Sequence, residues 1–221
     1  MATFAAMTDG AGALPEFRTM RLRASDGVEV AADLAVAAEP WAGAVVCHPH
    51  PAYGGDRHNI VVNRLFRVLA NGGVTALAFD FRPGAGDSDD GGIGADLDVR
   101  AAIAEVAEHL RPELPLWLVG YSFGADIALS VGDERVAGWA AVAPPLHFGT
   151  PALAGAGDER PVLVLAPEHD QFSPPDRMRE ATTHWPNATV TVVPGADHFL
   201  AGAGAAADVA TTVLAWLRDA R

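Results

Sequence analysis

Lysine is missing altogether: the 15 cationic side chains are all arginine, against 28 Asp and Glu, for a net charge of −13 and a pI near 4.8. A chain so short of positive charge lacks the basic footprint that phosphate backbones require, which argues against nucleic acid as a partner. There is one cysteine, Cys47, so no disulfide can form within the chain, as befits a reducing compartment. Cys47 sits in the apolar run Ala44-Val45-Val46-Cys47 and reads as a buried small hydrophobe rather than a reactive thiol. No stretch approaches the ~18 consecutive apolar residues of a membrane span. Residues 1–16 lack both a basic start and a continuous apolar core, so they read as a flexible N-terminal arm, not a signal peptide, and the cytoplasm is the expected compartment. Neither an internal repeat nor an interdomain linker is visible, and residues 17–221 read as one domain.

Half of the residues are hydrophobic and the mean hydropathy is +0.16, the balance of a globular chain. Phe17–Arg23 and Val28–Ala37 alternate apolar and polar residues around Ser25-Asp26-Gly27, which predicts an antiparallel hairpin. The runs Trp41–Cys47, Val74–Phe81, Leu116–Val119, Val136–Ala143, Pro161–Ala166 and Ala188–Val193 are expected to be strands, the first of them buried on both faces. Helices are predicted between them, at Asn59–Ala70, from Ala95 to about Leu110, after Ser122, at Asp176–His184 and at Asp208–Arg218. Such alternation implies an α/β fold with a mostly parallel sheet covered on both faces.

Within this pattern, Gly120-Tyr121-Ser122-Phe123-Gly124 directly follows the strand Leu116–Val119 and opens a helix. G-x-S-x-G in that setting is a nucleophile elbow: the tight strand-to-helix turn lifts the serine hydroxyl into the open, and the flanking glycines avoid a clash of Cβ atoms. The chain holds only five serines. A serine needs a base, and the base needs an acid that fixes its tautomer. His198 follows the last strand and the Gly195 turn, Asp170 follows the strand before it, and the chain order Ser122, Asp170, His198 is the one this elbow keeps. Glu168 and, less well placed, Asp197 are rival acids. His58, His109, His147, His169 and His184 read as surface or loop residues. The backbone N–H of Phe123 is the first oxyanion donor. For the second, Pro49 and Pro51 have no N–H, which leaves the His50 N–H, with the Tyr53 hydroxyl as the alternative. His48-Pro49-His50 lacks a third ligand at metal-site spacing, and Gly84-Ala85-Gly86 lacks the Walker lysine and the dinucleotide spacing. Neither a metal nor a cofactor is expected.

The motifs HPHPAYGG (48–55), FDFRPGAGDSD (79–89), GYSFGA (120–125), EHDQFSPP (168–175) and ADHF (196–199) resemble the α/β-hydrolase superfamily over residues 17–220. Within it they resemble a lid-poor subgroup of small hydrolases related to dienelactone-hydrolase-like enzymes and carboxylesterases. The resemblance implies an α/β-hydrolase fold of about eight strands, with Ser122 as nucleophile, Asp170 as acid and His198 as base. Pro83 interrupts the subgroup's FRG-x-G-x-S loop, and Ser122 stands where true dienelactone hydrolases carry cysteine, so that particular activity is not inherited.

Only residues 144–160, with Pro144, Pro145 and Pro151 among them, are available where larger hydrolases insert a lid. An open, shallow site follows, suited to a small-molecule ester with a short acyl group. The expected activity is therefore carboxylic-ester hydrolysis through an acyl-enzyme. Thioester, peptide or C–C bond hydrolysis and perhydrolysis could use the same residues, and a binding protein without turnover is the non-enzymatic alternative. An apolar edge strand or the closing helix offers a surface for a homodimer.

Overall fold

The computed structural model of the chain describes residues 14–86, 94–146, 153–202 and 204–221. Most of the expected N-terminal arm, residues 87–93 of the glycine-aspartate loop, and residues 147–152 with His147 lie outside the described residues.

Eight strands form one sheet in the order β1-β2-β4-β3-β5-β6-β7-β8. The initial hairpin is present: β1 (Glu16–Arg23) and β2 (Glu29–Val36) pair antiparallel, and β2 pairs antiparallel with β4 (Val74–Phe79). Every other pairing is parallel, through β3 (Ala42–Cys47), β5 (Leu116–Tyr121), β6 (Val136–Val142), β7 (Val162–Pro167) and β8 (Ala188–Val193).

The continuous apolar runs become strands buried on both faces because alternate side chains feed two separate cores. From β3, Val45 and Cys47 enter one core and Ala44 and Val46 the other; from β5, Leu118 goes one way and Trp117 and Val119 the other. Helices α1 (Ile60–Asn71) and α5 (Ala205–Asp219) cover one face with Val62, Leu65, Leu69, Val209 and Val213. On the other face lie α2 (Ala95–Ala107), α3 (Phe123–Ser130) and α4 (Pro175–Ala181), contributing Val99, Ile103, Ile127 and Met178. Each of these large aliphatic side chains contributes roughly 1.5–3 kcal/mol by leaving water.

Three helices begin or end away from the periodicity. α2 stops at Ala107, short of Leu110. α5 starts a turn earlier than Asp208, since Gly204, in the left-handed region, caps a run of alanines that readily continue a helix. α4 opens on Pro175 and stops at Ala181, short of His184. The Thr182 and Thr183 hydroxyls there bond back to the Met178 and Arg179 carbonyls, the competition with the backbone ladder that makes threonine a poor helix interior.

Register positions the chemistry. Cys47 lies opposite Gly120, Tyr121 opposite Val142, and Pro167 opposite Val193. The loops after β3, β5, β6, β7 and β8 therefore open at one end of the sheet, the carboxyl ends of its parallel strands, where α/β sheets gather their ligands. Between β6 and β7 the described residues contain one short 3-10 turn, Ala154–Ala156.

Candidate active site

Ser122 sits where the strand ladder hands over to a helix. Its N–H still donates to the Val142 carbonyl of β6 at 2.8 Å, while its own carbonyl already accepts the Ala125 N–H at 2.8 Å. Meeting both demands forces φ 54° and ψ −125° on a non-glycine residue, a conformation that costs energy and is kept where the surroundings over-determine it. The flanking glycines are required by contact. A methyl group on Gly120 would strike the Gly124 carbonyl oxygen and the Ala125 backbone; one on Gly124 would strike the His48 and Cys47 carbonyl oxygens.

Three residues named from the sequence meet here. Ser122 Oγ lies 3.0 Å from His198 Nε2, and His198 Nδ1 lies 2.7 Å from Asp170 Oδ2. A carboxylate only accepts, so the Nδ1 proton belongs to His198 and Nε2 is left as the acceptor facing the serine. The other Asp170 oxygen accepts the Phe172 and Ser173 N–H groups, both at 2.8 Å. Burial pushes the Asp170 carboxyl up, but the bonds from His198, Ser173 and Phe172 outweigh it and hold the group below the usual carboxylate range. Glu168 does not reach His198; it is exposed and accepts the Gly195 N–H at 2.7 Å, bracing the turn before the histidine. Asp197 is exposed as well.

Sequence reasoning missed Tyr121. Its buried hydroxyl donates to the His198 carbonyl at 2.9 Å, tying the loop after β8 to the elbow strand. A buried phenol needs a polar partner, and that requirement was the available signal.

In the loop after β3, the two histidines diverge. His48 turns inward: Nδ1–H donates to the Pro49 carbonyl at 2.6 Å, and Nε2 accepts the Phe81 N–H at 2.9 Å. Its role is structural, and burial lowers its basicity. His50 faces the pocket, with Nδ1 accepting the Ala52 N–H at 3.2 Å and Nε2–H donating to the Gly86 carbonyl at 3.0 Å. All four ring nitrogens are thus engaged by protein, and among the described residues no group of three or more His, Cys, Asp or Glu is arranged around a common metal position. Gly55 closes this loop by donating its N–H to the His50 carbonyl, an approach that leaves no room for a Cβ. Among the described residues the N–H groups of Phe123 and His50 donate to no protein acceptor. Tyr53 stands 87% exposed, its ring 5.0 Å from that of His50.

Ser122 and His198 open into a pocket of about 490 Å³ whose wall is mainly aromatic and proline side chains. One carboxyl group stands in that wall. Asp126, a helical turn beyond Ser122, is buried, and both its oxygens share the Leu146 N–H, at 3.1 and 3.0 Å. Burial raises its pKa to about 7, against the opposing pull of that N–H and of Arg177. The folded state therefore holds this proton more tightly than the unfolded chain does, so the Asp126 contribution weakens as pH rises from about 4 to about 7 and is level above that. Asp126→Asn keeps an acceptor for Leu146 without a charge. It should match the wild type at or below about pH 4 and exceed its unfolding free energy by about 1–4 kcal/mol at pH 8. Urea unfolding at the two pH values measures this; equal stabilities at pH 8 would mean that the group ionises at no cost.

No family model matches the chain. It is 29% identical to an uncharacterised protein of Rickettsia prowazekii, RP471, with 71% of each chain covered. An α/β serine hydrolase homologue from Coxiella burnetii has a similar structure, with a TM-score of 0.77, 26% identity, and 97% of this chain and 100% of that one covered. XC6422 from Xanthomonas campestris, a serine hydrolase without a lid, gives 0.71 at 26% identity over 92% of this chain and 94% of that one. No helix among the described residues is long and apolar enough to cross a membrane. From its sheet order, its elbow and these structural likenesses, the chain belongs to the α/β-hydrolase superfamily and is a hydrolase of that superfamily.

Proposed function

We propose that the protein hydrolyses small or short-acyl carboxylic esters, with Ser122 as nucleophile, His198 as base and Asp170 as the acid that orients it. The observation that carries this reading is the unbroken run of contacts from Ser122 Oγ through the His198 ring to Asp170, at 3.0 and 2.7 Å. In the reaction, Oγ attacks the ester carbonyl and its proton passes to Nε2. The tetrahedral oxyanion is received by the Phe123 N–H at the start of α3 and by the His50 N–H, two donors with no protein partner among the described residues. Preorganised donors of this kind contribute about 10²–10³ each in rate. The C–O bond then breaks, Nε2–H protonates the departing alkoxide, and water, deprotonated by the same nitrogen, releases the acid. Tyr53 is a weaker candidate for the second donor, since its side chain is turned largely to solvent.

The size of the pocket supports the short acyl group. About 490 Å³ is in the range of small-ligand sites, and it must hold both halves of the ester. The p-nitrophenyl esters of acetate, butyrate, octanoate and palmitate test the reading. The expected kcat/KM is greatest for acetate or butyrate and falls by at least tenfold at palmitate. A maximum at palmitate would replace short esters with lipids, and no turnover of any of the four would remove the ester reading.

A further inference from the structure

The base also marks the direction in which the substrate lies. In the ester-hydrolase reading, on which this inference rests, the leaving oxygen takes its proton from His198 Nε2. The alcohol half of the ester must therefore lie along whatever packs on His198. Beside the buried Tyr121 ring, 6.1 Å away, the exposed part of that surface is two phenylalanines. Phe172 stacks edgewise on the His198 ring at 4.8 Å and 68°, Phe199 stands 5.6 Å away at 90°, and the two rings lie 6.4 Å apart at 88°. Both line the pocket yet remain 41% and 57% exposed, among the few large hydrophobic side chains so placed. A separate aromatic group in the same lining, Phe123, His50 and Tyr53, carries the two proposed oxyanion donors.

We propose that Phe172 and Phe199 form the alcohol subsite of the pocket and select esters of aromatic alcohols. Two mutually perpendicular rings present a face and an edge to an entering group, the two arrangements in which aromatic pairs gain over aliphatic ones of equal area. A cationic alcohol would also suit exposed rings. Arg177, however, donates to the Phe172 carbonyl at 3.1 Å and places positive charge beside the subsite, so a neutral ring is favoured.

Benzyl acetate and cyclohexylmethyl acetate share their acyl group and differ in the ring of a primary alcohol. The wild type should prefer benzyl acetate by about three- to tenfold in kcat/KM. Phe172→Leu and Phe199→Leu should each bring that ratio toward one, while the acetate-to-butyrate ratio of p-nitrophenyl esters stays at the wild-type value. Both side chains are substantially exposed, so the variants should fold, and thermal melts check that they do. Parity of the two esters in the wild type, a preference kept by both variants, or a shift in the acyl ratio instead would overturn the subsite while leaving ester hydrolysis intact. Failure of the wild type to hydrolyse any of these esters, with no fluorophosphonate adduct on Ser122, would overturn the underlying reading and the subsite together.

Discussion

Ser122→Ala should lower kcat for p-nitrophenyl acetate by about 10⁴–10⁶-fold and leave the fold untouched. The size of the loss follows from what the hydroxyl does in the proposed mechanism, where it forms the bond to the substrate; removing such a nucleophile leaves only the oxyanion donors and binding to act on water. The structural effect is small because Ser122 is held at φ 54° by its backbone bonds to Val142 and Ala125, and alanine carries the same Cβ through that turn. Among the described residues the only side-chain hydrogen bond lost is the 3.0 Å contact to His198. Steady-state rates, with thermal melts on the same samples, test this. A fluorophosphonate should add to the wild type at Ser122 and not to the variant. More than about a hundredth of wild-type activity in the variant, or an adduct on another residue, would place the nucleophile elsewhere.

The framework that holds Ser122 was legible because its strands are short, mostly apolar runs ending in polar residues. β3, β4, β5 and β7 are buried along their whole length, so composition alone marked them, and parallel register carried their carboxyl ends to one edge. The elbow was legible for a local reason: the conflict between ladder and helix at Ser122 and the contacts of Gly120 and Gly124 arise within a few residues.

What the sequence hid was the direction of side chains fixed by distant partners. His48 and His50 stand two apart in one motif, but the first is turned into the protein by the Phe81 N–H and the second faces the pocket, tethered to Gly86. Asp126 reads as an ordinary polar residue in the first turn of a helix; its burial depends on the chain after β6 folding back so that Leu146 caps it. Glu168 and Asp170 were separated by the turn after β7. The Asp170 N–H bonds back to the Pro167 carbonyl, and the His169 N–H joins the Ala196 carbonyl, so Asp170 meets His198 while Glu168 meets Gly195. Tyr121 joins a carbonyl in a loop that the chain reaches only after three more strands.

The same turn makes Asp170→Asn informative, with an expected loss in kcat of about 10⁴-fold. Asp170 Oδ1 accepts two backbone N–H groups, from Phe172 and Ser173. An asparagine must keep its carbonyl oxygen there, because its amide nitrogen would set donor against donor. The NH₂ group then faces His198 Nδ1, which can no longer donate and must accept. The histidine proton moves to Nε2, the atom that should receive the serine proton, and the base is switched off although every heavy atom stays in place. Asp170→Ala should cost activity for a less specific reason, since it also frees the Phe172 and Ser173 N–H groups. The two variants differ in stability: the asparagine form should melt close to the wild type and the alanine form lower, by the roughly 1–3 kcal/mol of orphaned buried donors. Rates near neutral pH, with the imidazole ¹⁵N shifts of His198 reporting its tautomer, decide the point. An asparagine variant within tenfold of the wild type, or one whose Nδ1 still carries the proton, would show that Asp170 does not set the tautomer of the base.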